Sequence, residues 1–255
     1  MNNISIDPLR VIKRNLEFKG ILSGRNVDIL GNGPSLRSFK ESAPSNFLIS
    51  CNEFHKTHLY GRVNPDLHLL VDPVYYLEPE KFLVPVLNSL INISACPVIL
   101  ANIRVLQFVV SSVQYQGAFR WLFIDFTEEG EFGYDLSRPI KRIGQNVINL
   151  GIIFALFGSA NYIRLFGVDM DILDMTEEMY FSDWNWNHSW QKSEADEGLK
   201  TNFEGMGLGW ADLKKAILRM NFEFNLLKVM VDKAGCQVVN MNQYSKLNVF
   251  KKISA

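Results

Sequence analysis

The stretch Val27-Asp28-Ile29-Leu30-Gly31-Asn32-Gly33-Pro34-Ser35-Leu36 constrains this chain most: it runs apolar, breaks at two glycines and restarts at a proline. Val27, Ile29 and Leu30 suit a buried parallel strand, where a near-continuous hydrophobic run replaces alternation. The glycines free the backbone for a sharp bend, and Pro34 fits a first helical position, where its missing N–H costs nothing. A strand–turn–helix corner of this kind gathers backbone N–H groups beside the positive end of a helix, which suits an anion such as a nucleotide phosphate. Asn32 adds a side-chain amide that both donates and accepts. The same corner also occurs without any ligand, so it does not settle binding by itself.

Two well-known phosphate motifs are excluded. The third glycine of a dinucleotide fingerprint would fall at Leu36, and Asn52 stands where an acidic residue would end the second strand. No Gly-Lys-Ser/Thr occurs anywhere, so there is no P-loop.

Beyond the corner, 47–50 reads as a strand ending in Cys51-Asn52, and 67–71 as a strand ending in Asp72-Pro73, with Tyr75 and Tyr76 just after. Ligand crevices of open parallel sheets form outside the carboxyl ends of strands, so Gly31 to Gly33, Asn52 and Asp72 should share one crevice. The pattern continues with a helix over 80–91, a strand over 98–101, a helix over 105–112 and a strand over 121–124. An acidic loop over 127–135 precedes Arg142-Ile143-Gly144-Gln145-Asn146 and a strongly apolar helix through Phe157. The strand 162–166 ends in Gly167-Val168-Asp169-Met170-Asp171; a helix over 211–233 and a strand over 236–240 follow. This alternation predicts one α/β domain over 27–255 with a largely parallel sheet flanked by helices. A chain of 255 residues is long enough to bury a core of that size.

Two segments depart from the pattern. Residues 173–209 carry Tyr180, Trp184, Trp186, His188 and Trp190 without a hydrophobic period. Disordered segments are poor in aromatics, so a lid insertion is expected there. Residues 1–26 read as an amphipathic helix, with Asp7 as N-cap, Pro8 at the first position, and Leu9, Ile12, Leu16 and Lys19 on one side. Arg10, Lys13, Arg14 and Arg25 make it the most basic part of the chain. The expectation is a helix packed on its own domain; a peripheral contact with the inner face of a membrane is the alternative.

Net charge of −1 gives no reason to expect nucleic acid. Cys51, Cys96 and Cys236 are widely spaced, which predicts buried thiols in a reducing compartment rather than a zinc cluster or a disulfide frame. Without a signal peptide or an apolar run of about eighteen residues, a cytoplasmic protein is expected. Oligomeric state is left open.

The Gly-Asn-Gly-Pro-Ser-Leu corner resembles the opening of bacterial sialyltransferases that use CMP-activated sugars, and that of the flagellin-modifying motility accessory factors. Four weaker features occur in the family's order: Cys51-Asn52, Arg142-Ile143, Gly167-Val168-Asp169, and a terminal Ser-x-Leu-x-x-Phe from Ser245 to Phe250. The resemblance implies a single Rossmann-like domain with a lid, and inverting transfer of a sialic-acid-like or other ulosonic acid sugar, such as Kdo, from a CMP donor to a cell-surface glycan acceptor. It implies that no cofactor or metal is required. It places Asn32 and Asn52 at the CMP moiety and Asp72 and Gln145 near the donor sugar and base, with Gly31, Gly33, Ser35 and Asn146 as further donor-binding candidates. The family commonly has Asn at Asp72, Ser at Gln145 and Tyr at Asp171.

Transfer to a hydroxyl requires a base to take its proton, and neutral imidazole suits that role near pH 7. Of four histidines, His68 lies within a strand and reads as structural, while His55 and His58 sit in a polar connection. His188 falls in the family's base region, with Asp169 and Asp183 as alternatives. Tyr180 is the available donor to the leaving phosphate. Asp169-Met170-Asp171 also matches the Asp-x-Asp that holds a metal in many glycosyltransferases, although aspartate at a strand end is often only a turn former. Two readings of other classes stay open: a magnesium-dependent diphosphotransferase similar to the pterin pyrophosphokinases, using Asp72, Asp169 and Asp171, and a non-catalytic nucleotide-binding protein.

Overall fold

A computed structural model of the chain describes residues 7–40, 42–93, 97–129, 132–141, 146–170 and 209–253. The apolar runs become β1 (Asn26–Leu30), β2 (Phe47–Cys51), β3 (Leu67–Leu70), β4 (Val98–Asn102) and β5 (Arg120–Ile124). After a two-residue ladder of β6 (Phe126–Thr127) and β7 (Ile140–Lys141) come β8 (Tyr162–Phe166), β9 (Gln237–Asn240) and β10 (Lys251–Lys252). The main sheet has eight strands in the order β10-β9-β8-β1-β2-β3-β4-β5, and all its pairings are parallel. The chain leaves β1 toward β5, then returns to the far side of β1 at β8. That reversal makes the β1/β8 boundary the topological switch point of the sheet.

Alternation along the strands feeds two cores. Val27 and Ile29 pack with Ile49, Leu69 and Leu165 under α7 (Val147–Phe157) and α8 (Trp210–Lys233). Leu30, Leu48 and Leu70 face the opposite side with Leu83 and Leu87 of α4 (Pro79–Asn92), which follows the single-turn helices α2 (Tyr60–Val63) and α3 (Val74–Leu77). Residues 148–157 of α7 are all buried, because this helix is apolar on every side and is enclosed by β1 to β3 and by α8. Among the described residues, no helix is long and apolar enough to cross a membrane.

One charge sits inside this sheet. Asp28 is wholly buried on β1, and its register partner Arg164 on β8 grips it with two bonds of 2.7 Å. Asn46 donates a further bond of 3.0 Å and the Ser42 hydroxyl another. A carboxylate survives at zero exposure only because its lone pairs are matched in this way.

Several expected elements differ. Pro34 opens a single 3-10 turn, Pro34–Ser38, rather than an α-helix, because the chain turns extended at Phe39 (φ −64°, ψ 118°). The N-terminal helix is only α1 (Pro8–Lys13), capped by Asp7, and it tightens into a 3-10 turn over Arg14–Phe18. The change of pitch breaks the expected face: Ile12 and Phe18 are buried, whereas Leu9 and Leu16 are exposed. Buried Asn15 anchors this segment to its own domain, donating at 2.7 Å to the carbonyls of Phe123 and Leu136. The helix expected over 105–112 is a 3-10 turn, Ile103–Val105, leading into α5 (Leu106–Ser111), and α6 (Val113–Ala118) and β10 add to the expected elements. Cys51 and Cys236 are buried free thiols, while Cys96 lies outside the described residues.

Candidate functional site

The carboxyl edge of the sheet carries two polar clusters of different character. The first is a clasp around Asp169. The β1 and β8 turns cross so tightly that a Cβ on Gly31 would lie 2.5 Å from the Gly167 carbonyl, and Gly167 itself has φ +63°. Gly31 and Gly33 therefore serve the contact between two backbones. Their N–H groups donate to Phe166 and Gly167 at 2.7 and 2.8 Å. The Ser35 N–H donates at 2.7 Å to Asp169 Oδ2, and Asp169 Oδ1 accepts from the Ser35 hydroxyl and, at 2.7 Å, from Asn242. Asp169 thus occupies the position at which an anion was expected to meet the turn. Of the groups expected to cradle a phosphate, the Ser35 donors meet the Asp169 carboxylate and the Gly31 and Gly33 N–H groups meet the sheet edge.

The clasp continues into the terminal segment. The backbone carbonyl of Asp169 accepts from Lys246 N–H at 2.7 Å and from the Ser245 hydroxyl at 3.0 Å. Asn240 donates to the Val168 carbonyl at 2.8 Å, and Ser245, Leu247 and Phe250 are buried. The Ser-x-Leu-x-x-Phe signal is therefore a fastening between the last strands and β8. With both carboxylate oxygens committed and 5% exposure, Asp169 has the geometry of a structural clamp rather than of a free base.

The second cluster lies at the ends of β1, β2 and β3. Asn32 reaches across to β2, its amide N–H contacting the Cys51 carbonyl at 3.4 Å. Asn52 adopts φ +48°, a left-handed conformation that asparagine tolerates better than most residues, and its side chain donates to Asp72 Oδ2 at 2.6 Å. The Oδ1 atoms of both Asn32 and Asn52 are buried without a hydrogen-bond partner. Two orphaned amide acceptors at neighbouring strand ends are costly unless a ligand supplies donors to them. Burial, and then the charge of Asp72, raises the Cys51 thiol pKa, so that sulfur stays protonated beneath this cluster.

A cleft opens from Asp72 toward β5, lined by Asp72, Tyr76, Asn102, Arg104, Asp125 and Asn146 among others. Asn146 caps α7 through a 2.8 Å bond from Ile148 N–H, which fixes it at the rim. Asn102 caps the turn after β4 in the same way, and Arg104 lies over the Tyr76 ring at 5.2 Å. Asn102 and Asp125 follow the same strand-end rule that selected Asn52 and Asp72, so the rule could have found them had it been applied to β4 and β5. Among the described residues, no three His, Cys, Asp or Glu side chains gather to hold a metal ion. Asp72 and Asp169 belong to separate clusters, one on the Asn52 side and one clasping Ser35 and Asn242. Gln145, Tyr180, His188, Asp171, Asp183 and all of the lid expected over 173–209 except Gly209, the N-cap of α8, lie outside the described residues.

No known family profile matches this chain, and no curated protein sequence matches it either. Solved structures share its fold. The Campylobacter jejuni sialyltransferase CstII in complex with the substrate analogue CMP-3FNeuAc aligns at 12% identity and TM-score 0.51, covering 91% of this chain and 86% of that one. The sialyltransferase CST-II with a trisaccharide acceptor and CMP aligns at 13% identity and TM-score 0.50, over 91% and 86%. The MAf glycosyltransferase from Magnetospirillum magneticum AMB-1 aligns at 15% identity and TM-score 0.55, covering 97% of this chain and 38% of that one. The chain therefore has the α/β fold on which these glycosyltransferases are built.

Proposed function

We propose that this chain is a glycosyltransferase that moves a sialic-acid-like or other ulosonic acid sugar from a CMP-activated donor to a hydroxyl of a glycan acceptor. The observation that carries the reading is the pair of buried, unpartnered oxygens on Asn32 and Asn52. Both are acceptors, so the ligand must bring donors. Cytidine does so through its exocyclic amine and ribose hydroxyls, whereas a phosphate brings only acceptors. The fold supports the reading from outside, since structures that share it have been solved with CMP, a CMP-sugar analogue and a trisaccharide acceptor.

In this reading Asn32 and Asn52 hold the nucleoside, and Asp72, Gln145 and Asn146 stand at the donor sugar. Attack by the acceptor hydroxyl inverts the anomeric carbon, with His188 taking the proton and Tyr180 donating to the departing phosphate. Asp169 passes from candidate base to the fastening of the site's floor. No metal is required in this scheme, and the acceptor is a surface glycan met on the cytoplasmic side.

Titration calorimetry tests the reading. CMP should bind without magnesium, and more tightly than ATP; magnesium-dependent ATP binding would favour a diphosphotransferase, and no nucleotide binding would leave a non-catalytic role. A donor screen including CMP-sialic acid and CMP-Kdo then names the sugar. His188→Ala should lose about a hundred- to ten-thousand-fold in turnover with donor affinity little changed. Near-parental turnover would remove His188 from the mechanism and make Asp183 the next residue to replace.

A further inference from the structure

Behind Asn52 lies a buried histidine pair that the reaction scheme does not use. His68 is fully enclosed within β3, and His55 is nearly so in the turn after β2. Both point a ring nitrogen at a single atom, the backbone carbonyl of Asn52, at 3.0 Å from His68 Nε2 and 3.2 Å from His55 Nδ1. A carbonyl only accepts, so each of these nitrogens carries its proton. Burial, and secondarily the neighbouring His55, holds the His68 pKa down to about 3, and burial lowers that of His55 as well. The His68 ring is therefore neutral. The remaining nitrogen of His68, Nδ1, must be an acceptor, and it receives the Ser50 hydroxyl at 2.7 Å. The rings are wedged in place by Tyr60, whose ring stands edge-on to His68 at 5.6 Å between centroids.

This chain of bonds ends on the residue with the left-handed backbone. A non-glycine residue at φ +48° is held there against its intrinsic preference. Here both lone pairs of its carbonyl are used by imidazole donors, which fixes the peptide plane leaving β2. From that anchored backbone the Asn52 side chain donates to Asp72 at 2.6 Å and keeps its oxygen buried without a partner.

Building on the nucleotide site proposed above, we infer that His68 and His55 are positioning residues for nucleotide binding, acting through the Asn52 carbonyl to aim the Asn52 amide at the nucleoside. They do not touch the ligand and do not transfer a proton. A core role alone would make His68 a packing element whose loss affects stability and affinity independently of Asn52, and a double-mutant cycle separates the two.

CMP affinity is measured for the parent, His68→Leu, Asn52→Ala and the double variant. His68→Leu should weaken CMP binding about ten- to a hundred-fold in the parent background, but by less than about twofold once Asn52 is Ala. His68→Gln keeps an N–H for the carbonyl and an oxygen for Ser50, and should restore affinity to within about threefold of the parent. Equal losses from His68→Leu in both backgrounds, or no loss in either, would overturn the inference. Should His68→Leu not fold, His55→Leu removes the second donor from a less enclosed position and enters the same cycle. Nuclear magnetic resonance gives a ligand-free arm. The Asn52 side-chain N–H protons should exchange slowly in the parent and in His68→Gln, and faster in His68→Leu or His55→Leu. If the parent binds no CMP, the proposed function falls, while unchanged exchange across these variants would by itself overturn the positioning role.

Discussion

The Asp169 clasp and the Asn32–Asn52 pair stand at the same edge of the same sheet, yet they close their hydrogen bonds differently. In the clasp, both carboxylate oxygens and the backbone carbonyl meet donors from Ser35, Asn242, Ser245 and Lys246. In the pair, two acceptors are buried and left without donors. The first arrangement is complete without a ligand; the second is not. Among strand-end polar residues, an unmet hydrogen bond is a better criterion for proposing a binding group than residue type is, because folding alone gains nothing from burying an unpaired acceptor.

That contrast breaks first at Asp169. Asp169→Ala should lower stability by about 3 kcal/mol or more, because three donors lose a charged acceptor, and thermal or urea unfolding will show it. Its effect on CMP affinity should be the smaller one. If Asp169→Asn instead abolished turnover at parental stability, the clasp would have to be reassigned to catalysis.

The opposite balance is expected across the edge. Asn32→Ala and Asn52→Ala should each cost about 1–3 kcal/mol of CMP binding, roughly ten- to a hundred-fold; Asn32→Ala should leave the melting temperature unchanged or slightly raised, whereas Asn52→Ala should lower it modestly, because alanine tolerates φ +48° less well and the bond to Asp72 is lost. Calorimetry and thermal scans on the same samples check both halves. Parental affinity in both variants would move the nucleotide site elsewhere.

The smallest effect is a slope with pH. His68 is held neutral down to about 3 when folded, against an ordinary value of 6.5 when unfolded. The unfolded chain therefore binds the extra proton between those values, so the stability that the neutral imidazole contributes is complete above pH 6.5 and is lost as pH falls toward 3. His55, lowered by burial, adds in the same direction. The stability gap between parent and His68→Gln should shift against the parent by roughly 1 kcal/mol per pH unit from about 6 down to 4. A gap independent of pH would mean that His68 is not held neutral.

Much of this molecule is written locally. The apolar runs, their spacing and the glycine–proline corner specify β1 to β5, β8, β9 and the enclosed helix α7 within a residue or two, because burial on both faces demands such runs. The strand-end rule likewise brought Asn32, Asn52 and Asp72 to one edge, since parallel strands point their carboxyl ends the same way. What local sequence does not encode is which strand-end groups meet which partner. Asp169 and Ser35 are far apart in the chain, and so are Asp28 and Arg164; only the placement of β8 against β1 makes the first pair a clasp and the second a buried ion pair. Gly31 and Gly33 read equally well as a phosphate cradle until Gly167 crosses them at backbone distance. Sequence thus determined the strands, their common edge and the residue types available there. Tertiary structure decided which of those groups bond to each other and which stay without a partner, because a hydrogen bond depends on distances of a few tenths of an ångström that chain spacing cannot set.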